Sequence, residues 1–262
     1  MRKFISNKFV LFFLGTIFVL GLWFLLSFIF DKGGAIFPSP ILTFQKLIVL
    51  LQEPNTYRSI GYSFLKMLIG FFGSFIVAIV LGTFAGNHPR LYDFLRPLMT
   101  VIKSVPTVAI VYLVIVIISA KNAPLAVVFV VCFPILYESV AGGIRNVDKD
   151  YIEASRVDGA NYLKSTLYIK LPLAVHYIIV GIVSSFALSF KIEIMAEVIA
   201  GLTRNGLGSV IYYEQITKYD DMTGIFAYAL IAVVIVLLVT LLEEVVKQLL
   251  KRKNIVVINN NW

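Results

Sequence analysis

The chain has 262 residues, of which 59% are hydrophobic and 15% charged, and its formal net charge is +8. A soluble domain is about 25% charged and 45–50% apolar, so this composition excludes an ordinary water-soluble protein and indicates one embedded in a bilayer. The single cysteine, Cys132, excludes a disulfide framework and lies in an apolar run, which predicts a packing role. The positive charge does not indicate nucleic-acid binding, because membrane proteins collect Lys and Arg in cytoplasmic loops.

Six apolar runs are long enough to cross a bilayer as helices, which takes about 20 residues each. They cover residues 9–30, 67–86, 98–120, 123–144, 173–200 and 222–242. The sequence therefore predicts an all-α, multi-pass integral membrane protein in which residues 1–262 form one transmembrane domain. Lys and Arg concentrate before the first run, after the second, after the fourth and after the sixth, which predicts both termini in the cytoplasm.

The segment after the first span, FPSPILTFQKLIVLLQEP, has apolar residues at helical spacing. Ser39 is a suitable helix cap and Pro40 fits the first helical position. We expect a short interfacial helix here, with a plain connector as the alternative.

The second span carries a small residue at every fourth position: Gly70, Ser74, Ala78, Gly82 and Gly86. Such a stripe lets another helix approach closely and predicts helix packing rather than contact with a solute. Pro106 in the third span and Pro134 in the fourth predict bends, either static kinks or bends along a transport path.

The fifth span contains three charged residues, Lys191, Glu193 and Glu197. The two glutamates are four residues apart and share a helix face, whereas Lys191 points elsewhere. Charge inside a membrane helix usually faces a cavity or a partner. Two interpretations stay open: these residues line a polar pathway, or they form an interfacial cluster paired with other helices or with a second subunit.

The chain carries no recognisable catalytic, metal-binding or phosphate-binding motif. There is no Gly-Lys dipeptide and hence no P-loop, and the two histidines, His88 and His176, make no metal constellation. We expect no catalytic residue, no metal and no bound cofactor, and any ATP must be bound by another chain.

Residues 150–172, between the fourth and fifth spans, predict a helix–turn–helix elbow on the cytoplasmic surface. Asp150 can cap a helix that holds to about Val157, and Gly159 favours a positive φ at its end. A second helical run follows until Pro172 stops or restarts the backbone. A solvated loop is the alternative, but two helices around a glycine favour docking into a groove on another protein.

This elbow resembles the EAA motif of the permease subunits of bacterial ABC importers. The motif positions are filled by Glu153, Ala154, Gly159, Ile169, Leu171 and Pro172, with Ser155 where the second Ala is usual. In that family the elbow is the coupling helix that contacts the ATP-binding subunit. The resemblance therefore implies ATPase-coupling roles for Glu153, Ala154, Ser155, Asp158, Gly159, Ala160, Leu171 and Pro172.

Further motifs resemble the branch of these importers that handles nitrate, sulfonates, taurine and, in some members, pyrimidine precursors of thiamine. They are FPSP after the first span, the glycine-rich second span, and AEVIAG followed by GLG. The resemblance implies a non-enzymatic subunit of the bacterial cytoplasmic membrane that works by alternating access. Its implied partners are ATPase subunits that hold ATP and Mg, a second permease subunit forming a homodimer, and an extracytoplasmic solute-binding protein.

Two other classes of membrane protein fit the sequence less well. An ion-gradient-driven secondary transporter could use Glu193 and Glu197, but it would leave the elbow unexplained. A membrane enzyme would need clustered His, Cys or Asp, which the chain lacks. The glutamate pair also leans away from a purely anionic solute and towards a neutral or zwitterionic one.

Overall fold

The computed structural model describes residues 8–30, 37–201, 205–218 and 220–252. All regular structure in these ranges is helical, which confirms the all-α prediction. The helices are α1 Lys8–Phe30, α2 Pro40–Gln52, α3 Pro54–Asn87, α4 Pro89–Ser104, α5 Thr107–Ile117, α6 Ala123–Arg145, α7 Lys149–Val157, α8 Tyr162–Ser165, α9 Leu171–Ala200, α10 Leu207–Thr217 and α11 Thr223–Arg252; a π-helical turn, Thr166–Lys170, joins α8 to α9.

Five helical segments are long and apolar enough to cross a membrane. They are α1, α3, α6, the continuous segment Tyr162–Ala200, and α11, while α4 and α5 together make a sixth. The prediction of a multi-pass membrane protein with six spans is confirmed if the bent pair is counted as one span. α10 was not predicted as a helix.

The third span is not the single helix that residues 98–120 predicted. The chain breaks between Ser104 and Thr107, and α4 and α5 meet at an angle of 101°. Val105, the residue before Pro106, has an extended backbone (φ −71°, ψ 129°), because the proline ring disfavours a helical conformation there. Pro106 therefore ends one helix rather than bending a continuous one.

The second span is also longer than residues 67–86 predicted. α3 begins at Pro54, which fills the first helical position where no N–H is needed. The added turns carry polar residues such as Ser63 and Lys66. These residues lower the local hydropathy, so a hydropathy criterion left the turns out of the predicted span. Both side chains bond to Glu197 on α9, so protein contacts satisfy them.

The small residues of α3 lie against α6. A Cβ at Gly70 would stand 2.5 Å from the carbonyl oxygen of Leu125, and one at Gly82 would stand 2.8 Å from Cβ of Val140. Ser74 and Ala78 between them are fully buried. α6 also packs on α9, so it is the central helix of the described bundle.

The segment after α1 forms the expected short helix, α2. Ser39 caps it by accepting a hydrogen bond from the backbone N–H of Leu42 at 3.3 Å, and Pro40 occupies its first turn. α1 itself is largely exposed, as expected of a helix surrounded by lipid. It is held in its C-terminal half, where Trp23 Nε1 donates to the carbonyl oxygen of Pro38 and the indole stacks on Phe226.

Candidate functional site

The elbow forms with α7 as its first arm, but its cap differs from the predicted one. The Asp148 carboxylate accepts a hydrogen bond from the backbone N–H of Asp150 at 3.2 Å. Asp150 itself lies in the first turn of α7, where its negative charge favours the helix N-terminus. The cap is thus two residues earlier than the sequence suggested.

The turn of the elbow is made by Gly159, which has the predicted positive φ, +78°. The N–H of Ala160 donates to the carbonyl oxygen of Ser155, the 6→1 hydrogen bond of a Schellman motif. A Cβ at Gly159 would meet no atom within 4 Å, so backbone conformation alone selects glycine here. Asn161 then caps α8 by accepting from the N–H of Lys164 at 2.9 Å.

The predicted coupling residues fall into three groups. Glu153, Ala154, Asp158 and Gly159 are exposed together on the first arm and the turn, with Ala160 half-buried beside them. Ser155 is buried and its hydroxyl lies 3.2 Å from that of Ser165, so it holds the two arms together. Leu171 and Pro172 lie apart from the turn, at the start of α9.

The sequence predicted that Pro172 stops or restarts the backbone, and the second arm instead continues through it. The N–H of Leu171 bonds to the carbonyl oxygen of Thr166, five residues earlier, which is the π-helical pattern. Pro172 comes in the first turn of α9, and the wider π turn before it accommodates the missing donor. Residues Tyr162–Ala200 therefore form one continuous helical segment.

The structure adds residues that the sequence did not single out. Val157, beside the turn, is 87% exposed and is the most prominent apolar side chain of the elbow. Asn87, at the end of α3, accepts a hydrogen bond from Lys170 Nζ at 2.6 Å, and the ring of His88 lies 5.6 Å from that of Tyr162. These contacts hold the second arm against the α3–α4 junction. Only Val157 had a sequence signal, as an apolar residue next to the glycine turn.

Glu197 is buried and is bound by residues of α3 and α10. Its carboxylate accepts from Ser63 Oγ at 2.6 Å, from Lys66 Nζ at 3.1 Å and from the backbone N–H of Gly208 at 3.0 Å. The Ser63 hydroxyl in turn accepts from the N–H of Leu207 at 2.7 Å. The acidic group thus caps α10, since a carboxylate is favourable at a helix N-terminus. Glu197 is therefore paired with residues of two other helices of the same chain.

Glu193 and Lys191 have different surroundings. Glu193 is fully buried, and neither carboxylate oxygen has a hydrogen-bond partner among the described residues. Lys191 is exposed on another face of α9, beside residues of α11. The three charged residues are therefore not brought together in one open channel of this protomer.

A polar cavity of about 330 Å³ opens between the start of α3, α10 and the start of α11. It is lined by charges of both signs, among them Arg58 and Glu214, and by three tyrosines. The hydrogen bond from Lys218 to Glu214 raises the pKa of the Lys218 ammonium group. Hydrogen bonds from Thr223 lower the pKa of the Asp221 carboxyl. Both groups stay charged near neutral pH, so this end of the protein keeps its polar character.

The sequence from residue 78 to 254 matches the family described as the binding-protein-dependent transport system inner membrane component. The chain belongs to this family. Within it, the permease is 26% identical over 208 residues to a probable ABC transporter permease protein of Brucella melitensis, covering 79% of this chain and 82% of that protein. It is 27% identical over 181 residues to the nitrate import permease protein NrtB of Synechocystis, covering 64% and 65%.

The fold of the permease is shared with solved transporters. A structure titled as an inward-facing conformation of the MetNI methionine ABC transporter superposes with a TM-score of 0.61, covering 76% of this chain and 95% of that one. The sequence identity is 16%, so the likeness establishes the fold alone. Together these comparisons confirm the predicted resemblance to ABC importer permeases, which are transport subunits.

Proposed function

We propose that this permease is the membrane-spanning subunit of an ATP-driven importer and moves a small polar solute across the bacterial cytoplasmic membrane by alternating access. The observation that supports this most directly is the exposed tip of the elbow. Val157 is 87% exposed between Glu153 and Asp158, which are exposed as well. An apolar side chain framed by charges on a short amphipathic helix suits a groove on a partner protein.

The partner at the elbow is a separate ATPase subunit that holds ATP and Mg. The sequence has no P-loop, so this chain does not supply the nucleotide site. Glu153, Ala154, Asp158, Gly159 and Ala160 form the docking surface. Ser155 keeps the two arms together from inside, and Leu171 and Pro172 carry the elbow into α9.

The assembly contains two copies of the permease and receives its solute from an extracytoplasmic binding protein. The family description, a binding-protein-dependent system, supports the second of these partners. Basic residues of the segments next to the spans support a cytoplasmic location of both termini. With that orientation, the polar cavity at the ends of α3, α10 and α11 faces the binding protein.

The solute class is nitrate, sulfonate or taurine, or a pyrimidine precursor of thiamine. Relatives named for nitrate and for glycine betaine/proline betaine import support a small polar solute. The Glu193–Glu197 pair no longer favours a neutral or zwitterionic solute. Glu197 is neutralised by Lys66 and both glutamates are buried within the protomer.

Co-purification tests the proposal. Tagged wild-type permease, extracted from its own membranes in detergent, should recover an ATPase subunit, and Gly159→Val should lose it. A β-branched residue at a φ of +78° is strained, whereas Gly159→Asn tolerates that conformation and should retain the subunit. Gly61→Val is the matched control, because Gly61 is also in open space but has helical backbone.

The outcomes separate the two classes of transporter. Recovery of the ATPase with wild type and with Gly159→Asn, and its loss with Gly159→Val, supports the importer. No ATPase with wild type, together with uptake that a protonophore abolishes at constant ATP, would instead indicate an ion-gradient-driven transporter.

A further inference from the structure

Helix α4 has three distinct faces. One faces the core: Met99 is buried there, and Leu91, Tyr92, Leu95 and Ile102 are half-buried. The exposed residues of α4 form two further faces, which differ in polarity. Phe94, Leu98 and Val101 make an apolar exposed face. Asp93, Arg96, Thr100, Lys103 and Ser104 make a polar exposed face. At 3.6 residues per turn, the two exposed faces are separated by about a third of a turn around the helix axis, so they contact different surroundings.

The polar face of α4 ends in an ion pair with α6. Lys103 Nζ lies 2.6 Å from Glu138 Oε2, and the two side chains are 43% and 41% exposed. Glu138 stands seven residues before Arg145, which ends α6, and this places it about 10 Å inside that end. The pair is therefore within the span and not at its margin.

The start of α4 is fixed at that same end of α6. The Arg145 guanidinium lies 4.1 Å from the centre of the Tyr92 ring, and Tyr92 also stacks on Tyr137. α4 is thus held against α6 near its start by Tyr92 and near its end by Lys103. It then meets α5 at the 101° bend beside Pro106.

Half-exposed charges at this depth cannot face lipid without a large cost, so they require water or polar protein in front of them. The apolar face of α4, by contrast, suits acyl chains. An ion pair with this exposure is weak in water and can open and close with little change in free energy.

We propose that the polar face of α4 and Glu138 of α6 line the solute pathway on its cytoplasmic side, and that the Lys103–Glu138 ion pair is a gate there. This inference rests on the proposed function. Charges of both signs in the gate suit a small polar solute and exclude an apolar one. The pathway residues are thus found on α4 and α6, whereas Glu193 and Glu197 on α9 are enclosed in the protomer.

Cysteine accessibility distinguishes the two exposed faces. Cys132 is buried and is the only cysteine, so Cys132→Ser gives a thiol-free background. In inside-out vesicles containing the whole transporter, a charged, membrane-impermeant methanethiosulfonate should modify Thr100→Cys and Ser104→Cys. It should modify Leu98→Cys and Val101→Cys, on the same helix, at least tenfold more slowly. Equal rates on both faces, or unreactive Thr100→Cys and Ser104→Cys, would overturn the proposal.

Dependence on the transport cycle separates a pathway from a surface that faces the bulk cytoplasm. Trapping the complex with ATP and vanadate should change the rate at Thr100→Cys and Ser104→Cys at least threefold. An unchanged rate would mean that α4 lies on the cytoplasmic surface, and the gate would be rejected.

Charge exchange tests the ion pair itself. Lys103→Glu and Glu138→Lys alone should raise the modification rate at Ser104→Cys several-fold and alter vanadate-sensitive ATP hydrolysis by the purified complex. The double exchange should restore both. Lys247→Glu, which breaks the Lys247–Glu243 pair on α11, should change neither. Single variants without effect, or an exchange as impaired as they are, would contradict the gate.

These experiments keep the two proposals apart. The difference in cysteine modification rate between the two exposed faces of α4 is measured without ATP, so it does not depend on an ATPase partner. An ATPase that co-purifies and responds to Gly159→Val, together with unreactive cysteines on the polar face, would reject the gate and leave the importer in place.

Discussion

Ser63 Oγ donates a hydrogen bond of 2.6 Å to Glu197 Oε2, across 134 residues of sequence. The same hydroxyl accepts from the N–H of Leu207, so a side chain of α3 connects the end of α9 to the start of α10. With Lys66 and the N–H of Gly208, Glu197 has three donors around a buried carboxylate. This network fixes α10 against α3 and the end of α9.

We expect Glu197→Gln to destabilise the permease by about 1–3 kcal/mol, because it weakens charge-assisted hydrogen bonds and leaves Lys66 without its counter-charge. Thermal unfolding of the detergent-solubilised protein measures this. Lys191→Met, an exposed change on the same helix, should leave the unfolding temperature unaltered. Combining Glu197→Gln with Lys66→Met should recover part of the loss, and an unchanged unfolding temperature in Glu197→Gln would contradict the network.

Glu193→Gln should affect the stability of the permease in the opposite direction to Glu197→Gln. Its carboxylate is buried without a hydrogen-bond partner among the described residues, and a neutral amide of the same shape costs less to bury. Unfolding temperatures of Glu193→Gln and Glu197→Gln, measured side by side, should show the first equal to or above wild type. A loss as large as that of Glu197→Gln would mean that Glu193 carries an ionised, necessary contact.

Gly82→Ala should disturb the packing of α3 on α6, because the new Cβ would stand 2.8 Å from Cβ of Val140. Overpacking of this kind costs about 1–3 kcal/mol. Gly61→Ala, in open space on the same helix, should be neutral or slightly stabilising. Adding Val140→Ala to Gly82→Ala should restore much of the stability. If Gly82→Ala unfolds at the wild-type temperature, the two helices are not in the close contact described.

Asn87→Ala should loosen the elbow without affecting insertion into the membrane, since Asn87 accepts from Lys170 Nζ and from the Thr166 hydroxyl. Amide hydrogen exchange should become at least several-fold faster within residues 160–170. The control is Asn122→Ala, whose side chain makes no capping hydrogen bond at the start of α6. Unchanged exchange in Asn87→Ala would show that other contacts hold the second arm.

Much of the fold could be predicted from local signals. Hydropathy located the long helices, Ser39–Pro40 located the start of α2, and Gly159 located the turn of the elbow. These features depend on residues near one another in sequence. The 101° break at Pro106 could not be predicted, because a proline indicates a bend but the packing of α4 on α6 sets its size.

The surroundings of the charged residues could not be predicted from the sequence either, because they also depend on packing between distant segments. Nothing near Glu197 indicates that its partners are Ser63 and Lys66, which stand more than 130 residues earlier. Lys103 and Glu138 were visible as charges within spans, but their pairing and exposure required the fold.

The π turn at Thr166–Lys170 makes the second arm of the elbow and the fifth span a single rod. Tyr162–Ala200 spans 39 residues, about 58 Å at 1.5 Å per residue. In the proposed complex this rod acts as a lever: a push on Tyr162 is delivered to α9 and onward to the α10 cap at Glu197. The first arm meets the rod at the Gly159 turn and is tied to it by the Ser155–Ser165 contact, so it moves with the lever.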